Sequence, residues 1–193
     1  TFLIGPEIFL NNCFFNHLSK QTMKTQTLLL LTFLFFSQSL MAQDKVKDFT
    51  LPAVGDQKPF VLSEAKGKYV ALHFLLKTEC PYCIRHTNDY VEETTDLKDV
   101  LQVFIKPDTE EEIKEWAENL DGDSFTIYRD VDAQLADELG IPDGYSFHNQ
   151  LVHFPALILI GPEGKEVYRY IGKKNSDRLP VKDFMTVLEG LRK

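Results

Sequence analysis

The 193-residue chain has few cysteines, and its basic residues are outnumbered by acidic ones. Three cysteines are too few for a disulfide-dense mini-scaffold. The 21 Lys and Arg against 29 Asp and Glu argue against nucleic acid as a partner, because phosphate neutralisation needs clustered basic residues. With 44% hydrophobic and 26% charged residues, the composition excludes a disordered tail and a collagen-like fibre. What remains is an acidic globular protein.

Residues 23–42 have the layout of a secretory signal peptide. Met23 and Lys24 form a short basic start, a mostly apolar run follows at residues 28–36, and Ala42 precedes a polar residue. The run is shorter than the roughly 20 apolar residues that cross a bilayer, so we expect no stable membrane span after cleavage. Cleavage after Ala42 predicts a periplasmic or secreted protein.

The segment upstream of Met23 needs a separate interpretation. We expect residues 1–22 to be an upstream extension or a gene-model artefact, and residues 43–193 to be the functional domain. Cys13 belongs to the upstream segment. Two cysteines therefore remain in the exported part, where disulfides can form.

Residues 43–193 alternate strand patterns with helix patterns. Continuous apolar runs predict buried strands at residues 70–76, 100–105 and 156–160. Helices are predicted at residues 81–97, at 108–120 with a capping box, at 132–139 and at 180–191. A turn at residues 161–164 and a strand at 166–171 predict a hairpin. This order implies one α/β domain, with a central mixed β-sheet flanked by helices.

The sequence Cys80-Pro81-Tyr82-Cys83 follows a buried strand and opens a predicted helix. Free N–H groups and the positive end of the helix dipole stabilise a thiolate there, and the thiolate is the form that attacks disulfides. Pro81 suits the first turn, where its missing N–H has no helical partner. One turn later, Cys83 faces Cys80. We predict that Cys80 attacks, that Cys83 is the buried resolving thiol, and that their redox-active disulfide works without a cofactor.

Charged neighbours have opposite effects on the thiol pKa. Lys77, Arg85 and His86 favour the thiolate, whereas Glu79 beside Cys80 disfavours it, and the net shift is left open. The positions predicted to support the two cysteines are Pro81, Tyr82, Lys77, Glu79 and Phe154.

Two other roles of the cysteine pair are weighed against redox chemistry. A static disulfide is disfavoured because a loop this small removes little entropy from the unfolded chain. A metal site would combine the pair with His86, or use His148 with His153. A four-cysteine zinc site is excluded because no second pair exists. We expect no resident metal.

Pro155 stands at the start of a predicted apolar strand, in His153-Phe154-Pro155-Ala156. We predict a cis-proline whose neighbouring backbone lies against the cysteine pair, where a substrate strand could pair with it. The alternative is a strand-edge proline without function. We prefer the first interpretation because a reactive pair also needs a docking surface.

The order and spacing of several short motifs resemble the thioredoxin-like redoxins. These motifs are residues 48–52, Gly67-Lys68, the strand with its cysteine pair, residues 154–156 and residues 161–165. The resemblance spans residues 46–193 and implies a thioredoxin-like fold. The group includes exported thiol–disulfide oxidoreductases and the peroxiredoxins of the alkyl hydroperoxide reductase/thiol-specific antioxidant family. It implies protein dithiol or disulfide substrates and an upstream redox partner.

The peroxiredoxin branch is matched with departures. Residues 74–83 align without gaps on the pattern Pro-x-x-x-Thr-x-x-Cys, which places Cys83 at the peroxide-attacking position. Leu76 and Cys80 replace the Pro and Thr that help form the peroxide pocket. The later peroxiredoxin Arg falls near Pro155, which instead matches a thioredoxin feature.

The thioredoxin branch also has departures. Glu79 stands where Trp usually precedes the first cysteine, and His73 and Phe74 lie where thioredoxins have a buried Asp. Residues 141–154 form a longer segment than a minimal redoxin has. We expect this segment either to form a lip over the cysteine pair or to pack as a surface loop. It carries Tyr145, Phe147, His148 and His153.

We predict an exported oxidoreductase that exchanges disulfides with protein thiols. The first alternative is a thiol peroxidase in which Cys83 attacks peroxide. The second is a non-enzymatic metallochaperone that holds copper through Cys80, Cys83 and a His, which are ligands suited to Cu(I). Whether the pair acts as reductant or oxidant depends on its potential, which the residues alone do not define.

Overall fold

The structure, a computed structural model, describes residues 45–77, 80–121, 125–147 and 150–193. The predicted upstream segment and signal peptide, residues 1–42, lie outside this part of the chain, as do Glu79 and His148. Within the described ranges, no helix combines the length and the apolar character needed to cross a bilayer.

Five strands form the central sheet. They are β3 (Tyr69–Phe74), β4 (Val100–Lys106), β5 (Ile127–Arg129), β8 (Ala156–Ile160) and β9 (Glu166–Ile171), in the spatial order β5-β4-β3-β8-β9. β4 runs parallel to both of its neighbours, whereas β8 runs antiparallel to both of its own. The predicted mixed sheet is confirmed. Short β5, with only three residues, had no periodic pattern that would have predicted it.

The remaining elements surround this sheet. Two small antiparallel pairs are β1 (Thr50–Leu51) with β2 (Phe60–Val61) and β6 (Asp143–Phe147) with β7 (Gln150–His153). The helices are α1 (Pro81–Thr94), α2 (Glu110–Ala117), α3 (Gln134–Glu138) and α4 (Val181–Leu191), and 3₁₀ turns lie at Leu62–Ala65 and Val131–Ala133.

The helix predicted at residues 132–139 begins later than expected. Asp132 and Ala133 have φ angles of 54° and 55°, in the left-handed region, so the α-helical backbone starts only at Gln134. The capping box of α2 is confirmed: the Thr109 hydroxyl accepts from the backbone N–H of Glu112, and the Glu112 carboxylate accepts from the backbone N–H of Thr109.

The central position of strand β8 in the sheet explains why its sequence is continuously apolar. All five of its residues are buried. Leu157 and Leu159 pack in the same cluster as side chains of α1, α2 and α4. Ile158 and Ile160 point to the other face of the sheet, where the cluster includes residues of α3. Because helices cover both faces, no position of this strand needs a polar residue.

Candidate active site

The cysteine pair lies where a buried strand ends and a helix begins. Cys80 is the N-cap of α1, and Pro81 occupies the first turn, as predicted. The two cysteines are joined by a disulfide, with a Cα–Cα distance of 5.3 Å. Cys80 is 7% exposed, whereas Cys83 is completely buried. Of the two sulfur atoms, that of Cys80 therefore offers solvent the easier access.

Three donors point at the sulfur atoms. The backbone N–H of Cys83 donates to Cys80 Sγ at 3.2 Å, and the backbone N–H of Leu76 donates to Cys83 Sγ at 3.4 Å. The third donor is the Arg178 guanidinium, which lies 3.1 Å from Cys83 Sγ and 3.4 Å from Cys80 Sγ. Such donors, one of them charged, stabilise negative charge on sulfur, so the geometry favours thiolate chemistry when the disulfide is opened.

Arg178 comes from the loop between β9 and α4 and is partly buried. Burial lowers the pKa of its guanidinium to about 10, and the nearby Asp177 carboxylate and Tyr145 hydroxyl oppose this shift. The loop is held in place by Asp177, whose carboxylate accepts from the Tyr170 hydroxyl and from the backbone N–H of Lys173. The Tyr90 hydroxyl on α1 donates to the Leu179 carbonyl at 3.0 Å, which ties the loop to the helix of the cysteines.

Two histidines occupy the core behind the disulfide. His73 of β3 is completely buried, and its Nδ1 lies 2.9 Å from Nε2 of His86 on α1. Its Nε2 lies 2.7 Å from Oε1 of Gln102. Burial lowers the pKa of His73 to about 4, although the Gln102 contact opposes the shift. Burial also lowers the pKa of His86, with further lowering by the charges of His73 and Arg178.

A buried lysine holds the loop that precedes the cysteines. Lys106 at the end of β4 is completely buried, and its Nζ donates to the Leu76 carbonyl at 2.6 Å. The same Nζ lies 3.2 Å from Asp108 Oδ2 and 4.4 Å from the centre of the Trp116 ring. Burial lowers its pKa, while Asp108 opposes the shift. Because the Leu76 N–H donates to Cys83, Lys106 acts as a positioning residue one step away from the sulfur.

Within the segment at residues 141–154, the described residues form the β6–β7 pair. Tyr145 and Val152 pack in the cluster that contains both cysteines. Burial raises the pKa of Tyr145, and the nearby positive charge of Arg178 opposes this shift. The hairpin is therefore packed onto the site through Tyr145. Leu151 on the same hairpin is 57% exposed.

The cis-proline prediction is wrong. The described chain contains no cis peptide bond, so the Phe154–Pro155 bond is trans. The trans isomer is the lower in energy for most X–Pro bonds, and here the backbone on both sides is already paired. Phe154 N–H donates to the Pro142 carbonyl at 3.0 Å, and the Pro155 carbonyl accepts from Gly172 N–H at 2.8 Å. Pro155 is buried against Gly172, at the base of the loop that carries Arg178.

The other predicted positions have varied surroundings. Tyr82 is 47% exposed beside the disulfide. Lys77 lines a cleft of about 500 Å³ together with Glu112 and His153. Arg85 lies on the exposed side of α1. Phe154 lines a small apolar cavity on the hairpin side. The cation that contacts the sulfur atoms is thus Arg178, which had not been predicted.

The AhpC/TSA family pattern matches residues 42–169, which is well over half of the sequence. The chain belongs to the AhpC/TSA family. Comparison with curated protein sequences finds no match. The expected resemblance to thioredoxin-like redoxins is confirmed at the level of family and fold.

Solved structures of related folds include both branches of the redoxins. A cysteine mutant of PrxQ from Xylella fastidiosa has a TM-score of 0.62 at 15% identity, covering 78% of this chain and 96% of that one. The exposed lipoprotein thioredoxin of Streptococcus pneumoniae has a TM-score of 0.60 at 24% identity, covering 75% and 99%. Peroxiredoxin 6 of Arenicola marina has a TM-score of 0.66 at 16% identity, covering 78% and 72%. At these identities the likeness shows the fold alone.

One group of side chains in this AhpC/TSA protein has the composition of a metal site. Asp137, Asp143 and His153 place one potential ligand atom each within 4.8 Å of one another. Nδ1 of His153 is already 2.8 Å from the Ile141 carbonyl, and the carboxylates are 79% and 58% exposed. Exposed carboxylates are well hydrated and bind cations weakly, so we assign no metal to the group. In their disulfide form, the cysteines offer no thiolate to copper.

Sequence reasoning missed Arg178 and the role of Lys106 in this AhpC/TSA protein. Arg178 lies 95 residues from Cys83 in the chain, and no spacing pattern links the two. Lys106 is the last residue of an apolar strand, and a lysine at that position predicts an exposed strand end. The only signal for the histidine pair was the presence of His73 at a buried strand position. Its partner His86 was singled out only as a charge near the thiols.

Proposed function

We propose that this AhpC/TSA protein is an exported thiol–disulfide oxidoreductase that exchanges disulfides with protein thiols. The observation that supports it best is the disulfide between Cys80 and Cys83 at the N-terminus of α1. The accessible sulfur belongs to the N-cap residue, and the buried sulfur lies one turn behind it. This arrangement lets a partner thiol or disulfide reach Cys80 while Cys83 is kept for the second step.

The exchange proceeds in two displacements. In the reducing direction, the Cys80 thiolate attacks a substrate disulfide, forms a mixed disulfide and releases one substrate thiolate. The Cys83 thiolate then attacks Cys80 Sγ, which closes the internal disulfide and releases the second substrate thiolate. The substrate gains two electrons and the cysteine pair loses two, and the same steps run backwards for oxidation.

Two cysteine variants test this assignment. Cys80→Ser should abolish turnover of a test disulfide protein, because no accessible thiol is left to form the mixed disulfide. Cys83→Ser should trap mixed disulfides with substrates, visible on non-reducing gels and lost on adding a reductant. Tyr82→Phe changes the same motif without touching a sulfur and serves as the matched control. Turnover retained in Cys80→Ser would overturn the assigned roles.

A thiol peroxidase is the second candidate, supported by the donors around Cys83. Both the Leu76 N–H and the Arg178 guanidinium donate to this sulfur. In this reaction the Cys83 thiolate attacks a peroxide, gives an alcohol or water and becomes a sulfenic acid, which condenses with Cys80 to the disulfide and releases water. Full burial of Cys83 opposes direct attack. Rapid loss of the Cys83 thiol in Cys80→Ser on adding stoichiometric hydrogen peroxide would favour the peroxidase.

We further propose that the protein works outside the cytoplasm and that an upstream redox partner returns its cysteine pair to the starting redox state. The signal-peptide pattern at residues 23–42 supports export. Expressing the full chain and determining the mass of the extracytoplasmic product tests it. Cleavage after Ala42 is the expected result, whereas a full-length product retained in the cytoplasm would contradict export.

A further inference from the structure

Arg178 has an unusual set of hydrogen-bond partners for a partly buried cation. Its Nη1 donates to the carbonyls of Asn175 and Asp177, and its Nη2 donates to the two sulfur atoms. Its Nε is buried and has no hydrogen-bond partner among the described residues. Within the described chain, no carboxylate lies at ion-pair distance from this guanidinium.

The nearest candidate anion is occupied elsewhere. Asp177 precedes Arg178, but its carboxylate accepts from the Tyr170 hydroxyl and the Lys173 N–H. His86, the titratable group of α1 that interacts with Arg178, is buried and supplies no negative charge. The Tyr145 hydroxyl on the hairpin is uncharged near neutral pH, as tyrosines ordinarily are, and burial raises its pKa further. In the disulfide state, the guanidinium of Arg178 therefore lacks an anion at hydrogen-bond distance among the described residues, although the charge of Asp177 acts on it from further away.

Reduction of the disulfide supplies that anion. When a thiolate attacks one sulfur atom of the disulfide, the S–S bonding electrons leave on the other sulfur atom, which becomes a thiolate. Cys83 Sγ is the closer of the two sulfur atoms to Arg178, and it also accepts from the Leu76 N–H. A guanidinium beside a thiolate makes a charge-assisted hydrogen bond, which is stronger than the same contact to a neutral disulfide sulfur.

We infer that Arg178 biases the Cys80–Cys83 couple toward its reduced form, so that the protein's substrates are reduced dithiols, which it oxidises. The inference rests on the proposed exchange function and assigns its direction. Whatever stabilises the reduced form of a dithiol makes its disulfide a stronger oxidant.

Oxidation of a substrate dithiol proceeds in two displacements. A substrate thiolate attacks the accessible Cys80 Sγ, the S–S bond to Cys83 breaks, and its electron pair leaves on Cys83 beside Arg178. The second substrate thiolate attacks the substrate sulfur of the mixed disulfide and releases Cys80 as a thiolate, which takes one of the substrate protons. The substrate loses two electrons and the pair gains two. A disulfide or peroxide oxidant then restores the pair.

Arg178 should also affect the rate at which the Cys83 thiolate leaves the disulfide. A thiol of lower pKa departs faster from a disulfide, and an adjacent cation lowers a thiol pKa. Removing the guanidinium should therefore slow the attack of a dithiol on the oxidised protein. It should also make the Cys80–Cys83 disulfide a weaker oxidant at equilibrium.

Equilibrium with a reference thioredoxin of known potential tests the direction in the wild-type protein. Oxidised protein is mixed with reduced thioredoxin, and the four species are quantified after acid trapping. We expect the thioredoxin to become oxidised, with an equilibrium constant of about 10 or more. If the thioredoxin stays reduced, the inference is overturned, and this result needs no variant to fold.

Arg178→Gln and Arg178→Lys then test the residue in a glutathione titration. We expect Gln to lower the equilibrium constant for reduction about tenfold, which corresponds to about 30 mV, and Lys to lower it less. Arg192→Gln, which removes a guanidinium paired with Asp99 away from the sulfur atoms, is the matched control and should leave the constant unchanged. A folded Arg178→Gln with the wild-type constant would overturn the inference. If the wild-type protein exchanges no disulfide at all, the proposed function fails instead.

Discussion

His73 should make the protein sensitive to mild acid. It is completely buried, and its pKa is lowered to about 4 in the folded state, compared with 6.5 for the free side chain. The unfolded chain therefore binds more protons than the folded chain between these two values. Stability rises with pH where the unfolded state binds more protons. The contribution is thus fully present above about pH 6.5 and is lost as the pH falls toward 4.

The size of the loss follows from the difference between the two pKa values. One unit corresponds to about 1.4 kcal/mol. Integrated over the titration, His73 accounts for a loss of about 2 kcal/mol at pH 5 and about 3 kcal/mol at pH 4. Such a loss is a substantial part of the free energy of unfolding of a typical domain, which is about 5–15 kcal/mol.

Urea unfolding of the wild-type protein and of His73→Gln, from pH 7.5 to pH 4.5, measures this effect. Gln stays uncharged over the range and can still donate to Gln102. Carboxylates titrate in both proteins, so the difference between the two curves isolates the histidine. We expect the wild-type protein to lose about 2 kcal/mol more than the variant between pH 7.5 and pH 5. Parallel curves would refute the reasoning, and NMR titration of the His73 ring offers a direct check.

Two further substitutions test the supports of the site, and a third, in α4, is compared with them. Lys106→Met should lower the free energy of unfolding by about 3 kcal/mol, because the buried Asp108 carboxylate would lose its ion pair with the lysine. Replacing both residues by apolar ones should recover much of this loss, and equal losses in the single and double variants would contradict the explanation. Gly172→Ala should lower the thermal midpoint and slow disulfide exchange, since an added Cβ would clash with the backbone carbonyl of Asp177. Gly190→Ala in α4 meets nothing within 4 Å and should instead stabilise the protein by about 1 kcal/mol.

The elements that sequence reasoning predicted well have a local cause. The apolar run of β8 needs only burial on both faces, and Cys80-Pro81 at the start of α1 needs only the chemistry of a helix N-terminus. The capping box at Thr109 is likewise complete within four residues. Each of these signals lies in one short segment, so it can be read without knowing the tertiary structure.

The features that were missed depend on contacts between distant segments. Arg178 reaches the sulfur atoms across 95 residues of chain, and His73 meets His86 only because α1 packs on β3. Pro155 illustrates the opposite error. Its place before a strand suggested a cis bond, but the bond is trans, and the neighbouring backbone is hydrogen-bonded to Pro142 and Gly172, which are distant in the sequence.

The loop that carries Arg178 has a consequence for the timing of the chemistry. The cysteines emerge from the ribosome long before Arg178, and the contacts that hold the loop are complete once Tyr90 bonds to Leu179 and α4 packs in the core. Before those contacts form, nothing fixes Arg178 at the position from which it reaches the two sulfur atoms. On the role inferred for Arg178, the disulfide of a chain truncated before α4 would be a weaker oxidant than the disulfide of the whole chain.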